Sequence, residues 1–275
     1  NMKIVKLIIV CFFVSTYAFA GVSPKEKEAL VTLYNSTRGD YWNVSWDLND
    51  PVSKWHGVTI ANSKVVEINL EFNNLEGILP NEISNLIHLK KINLGFNKLT
   101  GELPKSLQNL TELRSLELFM NSFEGQIPSE LGKLKKLESL KLYSNKLKWK
   151  IPESLMELTQ LKELLLGSNY LTGTIPRSIS ALTELEKLSL MDNKLQGEIP
   201  AEIAQLSNLE ELLLSTNQLT GVLPLEFSML TNLTTIMVSD NNLSGEYISI
   251  SGETPVSNTT LNMETATATM DIEKE

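Results

Sequence analysis

Sulfur chemistry is almost absent from this chain. Its 275 residues contain one cysteine, Cys11, so nothing downstream of that residue forms a disulfide or a thiolate metal site. Histidine is nearly as scarce. His56 and His88 lie far apart, and His88 occupies a variable position, so no imidazole metal cluster is indicated. Basic charge is in deficit: once Lys3 and Lys6 are set aside with the N-terminal segment, 22 basic groups face 33 acidic ones, a formal charge of −11. That balance disfavours nucleic acid as a partner. Also missing are a Gly-x-Ser-x-Gly elbow, a phosphate-cradling Gly-Lys-Ser/Thr loop and a His-Glu-x-x-His helix. Acid pairs such as Glu210 and Glu211 are common, but nothing marks two carboxylates as flanking a cleft. The chain therefore reads as a non-catalytic protein without metal or cofactor. Finally, no apolar run reaches the about 20 residues that span a bilayer; the run from Ile4 to Val14 is broken by Ser15 and Thr16.

What is present begins with that run. A short basic start, the apolar stretch and Ala18-Phe19-Ala20 ahead of Gly21 make a small-x-small cleavage pattern. Residues 1–20 are predicted to be a signal peptide, and the mature chain a secreted or cell-surface protein without a transmembrane anchor. With 42% hydrophobic residues, the remainder is able to bury a large core.

A fixed period then dominates. Asparagines recur at 73, 97, 121, 145, 169, 193, 217 and 241, a spacing of 24 without insertion or deletion. Prolines at 80, 104, 128, 152, 176, 200 and 224 keep the same phase, as do glycines at 77, 101, 125, 173, 197, 221 and 245. In the second unit Leu86, Leu89, Ile92, Leu94, Leu99, Leu103 and Leu107 are apolar, and the same columns are apolar in nearly every other unit. Ile92 and Leu94 give a period of two, hence a short strand with both side chains on one face. One unit cannot bury seven such residues, but stacked units can, strand beside strand in a parallel sheet over a continuous core. The asparagine sits where the chain leaves the strand and must both accept from and donate to backbone groups there; aspartate has no donor to offer. Glycine permits a turn with positive φ, and proline fixes φ where an N–H is not needed.

The run Leu94-x-x-Asn97-x-Leu99-Thr100-Gly101-x-Leu103-Pro104, repeated from about Val65 to Gly245, resembles the plant-type leucine-rich repeat of receptor-kinase ectodomains and polygalacturonase-inhibiting proteins. The resemblance implies a right-handed solenoid of eight units over residues 65–245. A parallel β-sheet would form its concave face and short helical or irregular segments its convex face. It also implies a binding protein that recognises another extracellular protein through the concave sheet. Inhibition of a secreted polysaccharide-degrading enzyme, or adhesion to carbohydrate or glycoprotein, are the alternatives.

Both ends carry their own signals. Ser23-Pro24-Lys25-Glu26 is a helix start with a capping box, and Ala29, Leu30, Leu33 and Tyr34 make its apolar stripe. Trp42, Trp46 and Trp55-His56-Gly57-Val58-Thr59 resemble the cap that precedes such repeats, so residues 21–64 form an N-terminal cap. Ile60 stands where the family usually has a cysteine, so packing of the tryptophans must replace the disulfide. Residues 246–275, rich in Thr, Ser and Glu, are expected to form a disordered tail.

Two surfaces are candidates for binding. Residues flanking the inward strand positions face out of the sheet, which selects Phe72, Phe96, Phe119, Met120, Lys141, Tyr143, Leu165, Met191 and Leu213 as a partner-binding set. Phe72, Phe96 and Met120 share one column; they either form an exposed contact ladder or lean over the core edge beside the asparagine turn. The second surface is Lys146, Lys148, Trp149 and Lys150, where Trp149 replaces the repeat glycine. With Lys133, Lys135, Lys136 and Lys141 this makes seven lysines against Glu138, either a site for an anionic partner or polysaccharide or a solvated patch. The whole is expected to act as a monomer.

Overall fold

A computed structural model describes residues 21–244 and the backbone of 269–271. The predicted signal peptide and, apart from that short strand, the predicted tail lie outside the described residues.

The cap helix spans Pro24–Ser36 and starts as the sequence indicates: Ser23 caps it, Pro24 occupies its first position, and Glu26 completes the capping box. The Glu26 Oε2 accepts from the Ser23 amide and hydroxyl at 3.1 and 2.7 Å. Its Oε1 does something the local motif does not require. It accepts the amide of Val65 at 3.1 Å, pinning the helix to the first strand of the repeat region. Behind the helix, Tyr34, Trp42, Trp46 and Trp55 form one aromatic stack with centroid separations of 4.7 to 6.0 Å. All four are buried, and each indole N–H finds a backbone carbonyl: Thr37, His56 and Asp47 respectively. The cap is thus held by packing and hydrogen bonds, as the absence of cysteine demands.

The repeats stack into a ten-stranded sheet. Eight strands, from Lys64–Asn69 through Lys91–Asn93 and Ser115–Glu117 to Thr235–Met237, run parallel in chain order with a register of 24 residues, Ile92 opposite Leu116 and Leu140 opposite Leu164. Both edges are covered by antiparallel strands: Val58–Ala61 at the cap end and Thr269–Asp271 at the other. These antiparallel strands, rather than the repeat strands, therefore present the two edges of the sheet. After each proline come five residues of 3-10 helix, from Asn81–Asn85 to Leu225–Met229, which bury Ile83, Leu107, Leu131, Leu155, Ile179, Ile203 and Phe227. Strands on one side and these helical turns on the other enclose a single core running from Ala29 to Val238. This is the leucine-rich-repeat solenoid with its parallel sheet on the concave face.

One layer was not expected. A second, eight-stranded parallel sheet runs along the flank, built from Glu76–Ile78, Lys98–Glu102, Ser122–Gly125, Lys146–Trp149 and their successors. Its register steps by 22 residues rather than 24, with Thr100 opposite Ser122 and Thr172 opposite Lys194. Each strand is therefore displaced by two residues against its neighbour, a shift that preserves which side chains point outward.

The asparagine column behaves as its chemistry requires. Asn97 donates to the carbonyls of Leu70, Leu94 and Gly95 at 2.9 to 3.0 Å and accepts the amides of Asn73 and Leu75. Asn145 donates to Leu118, Leu142 and Tyr143 and accepts from Phe123. Each therefore serves its own turn and the turn of the preceding repeat. Asn73, the first in the column, bonds instead to the backbone of Val44 in the cap.

Candidate functional site

Three residues per repeat look out from the concave sheet, and a fourth follows at the turn. On the first four repeats this face carries a continuous aromatic row. Phe72 and Phe96 meet edge to face at 6.1 Å, Phe96 and Phe119 at 5.4 Å, and Phe119 stacks on Tyr143 at 4.7 Å. The row steps from the turn column to the strand column at Phe119. Phe72, Phe96 and Met120 do share a column, and all three have left-handed backbone, with φ of 55°, 52° and 50°. Met120 is not the next member of the row, however, because the ring that reaches Phe96 is that of Phe119.

Of the two readings of the Phe72, Phe96 and Met120 column, the exposed one holds, and the core edge is taken instead by Phe119. Phe72 is 72% exposed and Phe96 41%, so they face solvent; Phe119 is only 6% exposed and must be corrected from contact surface to core edge. The cause lies one repeat earlier. Gly95 occupies the equivalent strand position and has no side chain, so the Phe119 ring settles over its backbone. Tyr143, Leu165, Met191 and Leu213 are half-buried on the same face. In the later repeats the turn column becomes polar, with Ser144, Ser168, Asp192, Thr216 and Asp240.

Several charged groups on this face are paired. Lys141 meets Glu163 at 3.0 Å, Lys187 meets Glu211 at 2.6 Å, and Lys91 approaches Glu117 at 3.7 Å. Burial works against the charge of Lys141, yet the hydrogen bond and charge of Glu163, with Glu117 beyond, raise its pKa overall. Glu163 shows the mirror effect: burial pushes it up, but hydrogen bonds from Lys141 and Ser139 bring it below the usual carboxylate range. Lys141, selected from sequence as a contact cation, is thus committed to an internal ion pair.

The lysine cluster divides. Lys135 and Lys136 pair with Glu157 and Glu112 at 2.6 and 2.7 Å, and Lys133 donates to Gln108. Lys150 lies alongside Gly173. Lys146, Lys148 and Trp149 remain together on the flanking sheet, where Tyr170 and Lys194 join them around an open pocket of about 400 Å³. Trp149 is 63% exposed and holds φ = 73° in the column otherwise occupied by glycine. The ammonium of Lys194 stands 5.3 Å from the centre of the Tyr170 ring. Sequence reasoning missed Tyr170 and Lys194, although Lys146, Tyr170 and Lys194 occupy one column of the 24-residue period.

Among the described residues no group of three or more His, Cys, Asp or Glu side chains is arranged to hold a metal, and no helix is long and apolar enough to cross a membrane.

Family models described as leucine-rich repeat match residues 63–123 and, as single repeats, 136–158, 160–182, 184–206 and 208–230. Among solved structures, the chain resembles the ectodomain of the receptor kinase GASSHO1/SCHENGEN3 from Arabidopsis thaliana in complex with CASPARIAN STRIP INTEGRITY FACTOR 2. The TM-score is 0.75 and the identity 34%, over 79% of this chain and 27% of that one. It is similar to PEPR1 in its complex with AtPEP1 at a TM-score of 0.72 and 35% identity, over 79% of this chain and 32% of that one. A probable leucine-rich repeat receptor-like protein kinase of Arabidopsis thaliana shares 42% identity over 89 residues, 31% of this chain and 9% of the kinase. The chain therefore spans about a third or less of the length of each of these relatives.

Proposed function

The chain belongs to the leucine-rich-repeat family, and we propose that it is a non-catalytic binding protein that holds a peptide or protein segment against the concave sheet of its first four repeats. The observation that carries this reading is the aromatic row from Phe72 to Tyr143. Two rings at its open end, Phe72 and Phe96, are exposed, while Phe119 beneath them is immobilised by packing. An exposed aromatic pair on a rigid base loses little side-chain freedom when a partner covers it, and such residues dominate interface energetics. Three strand spacings of about 4.8 Å give the row a reach of about 14 Å, the length of four to five extended residues. The paired Lys141–Glu163 and, beside the row, the carboxylate of Glu71, which accepts from Asn93, supply polar contacts. Supporting this, the structural relatives are complexes of PEPR1 with AtPEP1 and of GASSHO1/SCHENGEN3 with CASPARIAN STRIP INTEGRITY FACTOR 2. The small-x-small pattern ending at Ala20 supports export and action outside the cell, which N-terminal sequencing of the secreted product checks: Gly21 should come first.

The test of binding is selection of peptides from a display library against the immobilised chain, followed by titration against the Phe72→Ser/Phe96→Ser double variant. Affinity should fall at least tenfold while the melting temperature stays within a few degrees, because the Phe72 side chain is mostly in solvent and that of Phe96 lies at the surface rather than in the core. Enriched peptides that bind the variant as well as the parent overturn the assignment.

A further inference from the structure

We propose a second binding site, on the flanking sheet, for an acidic polysaccharide built of uronic-acid residues. Trp149 and Tyr170 serve as its stacking platforms, and Lys146, Lys148 and Lys194 as its carboxylate partners. Register places these groups together. Lys148 lies opposite Tyr170 and Leu171 opposite Trp149, so the two aromatic residues stand diagonally on adjacent strands. Lys146 lies opposite Glu124 on one side, and Lys194 opposite Thr172 on the other. The outward side chains of four neighbouring strands thus form one staircase around the pocket.

Two features separate this patch from ordinary solvated surface. First, the charges are unspent. Many lysines elsewhere pair with glutamate from repeat to repeat, as in Lys135–Glu157, Lys136–Glu112, Lys162–Glu186 and Lys187–Glu211, and others such as Lys25 and Lys98 have no ion pair among the described residues; what marks this patch is that three unpaired lysines surround one pocket. Among the described residues no carboxylate lies within 4.0 Å of the ammonium of Lys146, Lys148 or Lys194, on a protein whose net charge is negative. Second, Trp149 is held at a cost. A bulky residue with left-handed φ is strained, and with its indole mostly in solvent the residue recovers little of that cost by burial.

The occupant follows from the chemistry. A flat exposed indole beside a phenol ring matches the C–H face of a pyranose; three unpaired ammonium groups match one carboxylate per sugar; Glu124 and Thr172 offer partners for hydroxyls. An acidic peptide would use the lysines but would have no flat apolar face for Trp149.

The full chain should be titrated with polygalacturonate, with neutral dextran and with poly-L-glutamate of matched charge, at low and at physiological salt. Polygalacturonate should bind and weaken as salt rises, while dextran and poly-L-glutamate bind at least tenfold less well. Trp149→Gly restores the residue of the repeat column, so it should lose binding at least tenfold while melting at or above the parent temperature. Tyr170→Thr is the second variant and should weaken binding without unfolding, and Lys146→Gln/Lys148→Gln/Lys194→Gln should abolish both binding and its salt dependence. Binding of polygalacturonate by Trp149→Gly as by the parent overturns the proposal. So does equal affinity for poly-L-glutamate, or no binding of polygalacturonate at all.

Discussion

The ring of Phe119 occupies the space above Gly95: a Cβ at residue 95 would stand 2.5 Å from its Cζ. One missing side chain therefore seats another residue 24 positions later, and through it the contacts to Phe96 and Tyr143. Gly95→Ala should displace the ring at a cost of about 1–3 kcal/mol, as overpacking does. Near-ultraviolet circular dichroism and thermal melting would register both effects, and an unchanged spectrum would show that the ring does not depend on that space.

Glu26 gives a pH-dependent prediction. Burial raises its pKa, but hydrogen bonds from Ser23 and Val65 and the charge of Lys64 outweigh burial and leave it lowered. A carboxylate lowered in the native state stabilises fully above its unfolded value of about 4.3, and that stabilisation is lost as pH falls through the native pKa. Glu26→Gln should therefore melt below the parent at neutral pH, by about 1–3 kcal/mol, and the two should converge in acid. A gap that persists at pH 3 would point to packing instead.

Asn145 is the most informative rung of the ladder, with three carbonyls and one amide around its buried amide group. Asn145→Ala should cost about 1–3 kcal/mol. Asn145→Asp should cost more at neutral pH, since it turns a negative oxygen toward three carbonyls, and should recover partly on acidification as that carboxyl protonates. Denaturant titrations at pH 7 and pH 4 separate the two variants.

Reductant should leave the melting temperature unchanged, because residues 21–244 contain no cysteine and the cap rests on Tyr34, Trp42, Trp46 and Trp55. Trp46→Ala, by contrast, should cost about 3–5 kcal/mol as a buried aromatic. Differential scanning calorimetry with and without dithiothreitol tests the pair.

Where a side chain's role is local to its own repeat or recurs in every repeat, it is legible in sequence. The Ser23–Glu26 capping box and the asparagine column are of that kind. The flanking sheet was not legible, because segments such as Lys98–Glu102 carry one inward leucine and a glycine. Their extended form comes from pairing with neighbours rather than from their own propensity. Phe119 was misplaced because its burial depends on Gly95, an absence in another repeat; reading the two as one column of the period would have exposed the fit. The same column reading would have brought Tyr170 and Lys194 to Lys146, and so to the patch that holds Trp149.

The asparagine ladder also has a direction. Leu75, Phe123 and Leu147 each give their amide to an asparagine that lies 22 residues later in the chain. A nascent repeat leaving the ribosome is therefore unfinished until the next has been made. At about 5–20 residues per second that interval is about one to five seconds. The cap and first strand, joined by Glu26, are made first and offer the next repeat a template, so assembly should proceed as a ratchet from the N-terminal end. A chain halted mid-repeat would carry its unsatisfied amides only at the growing tip.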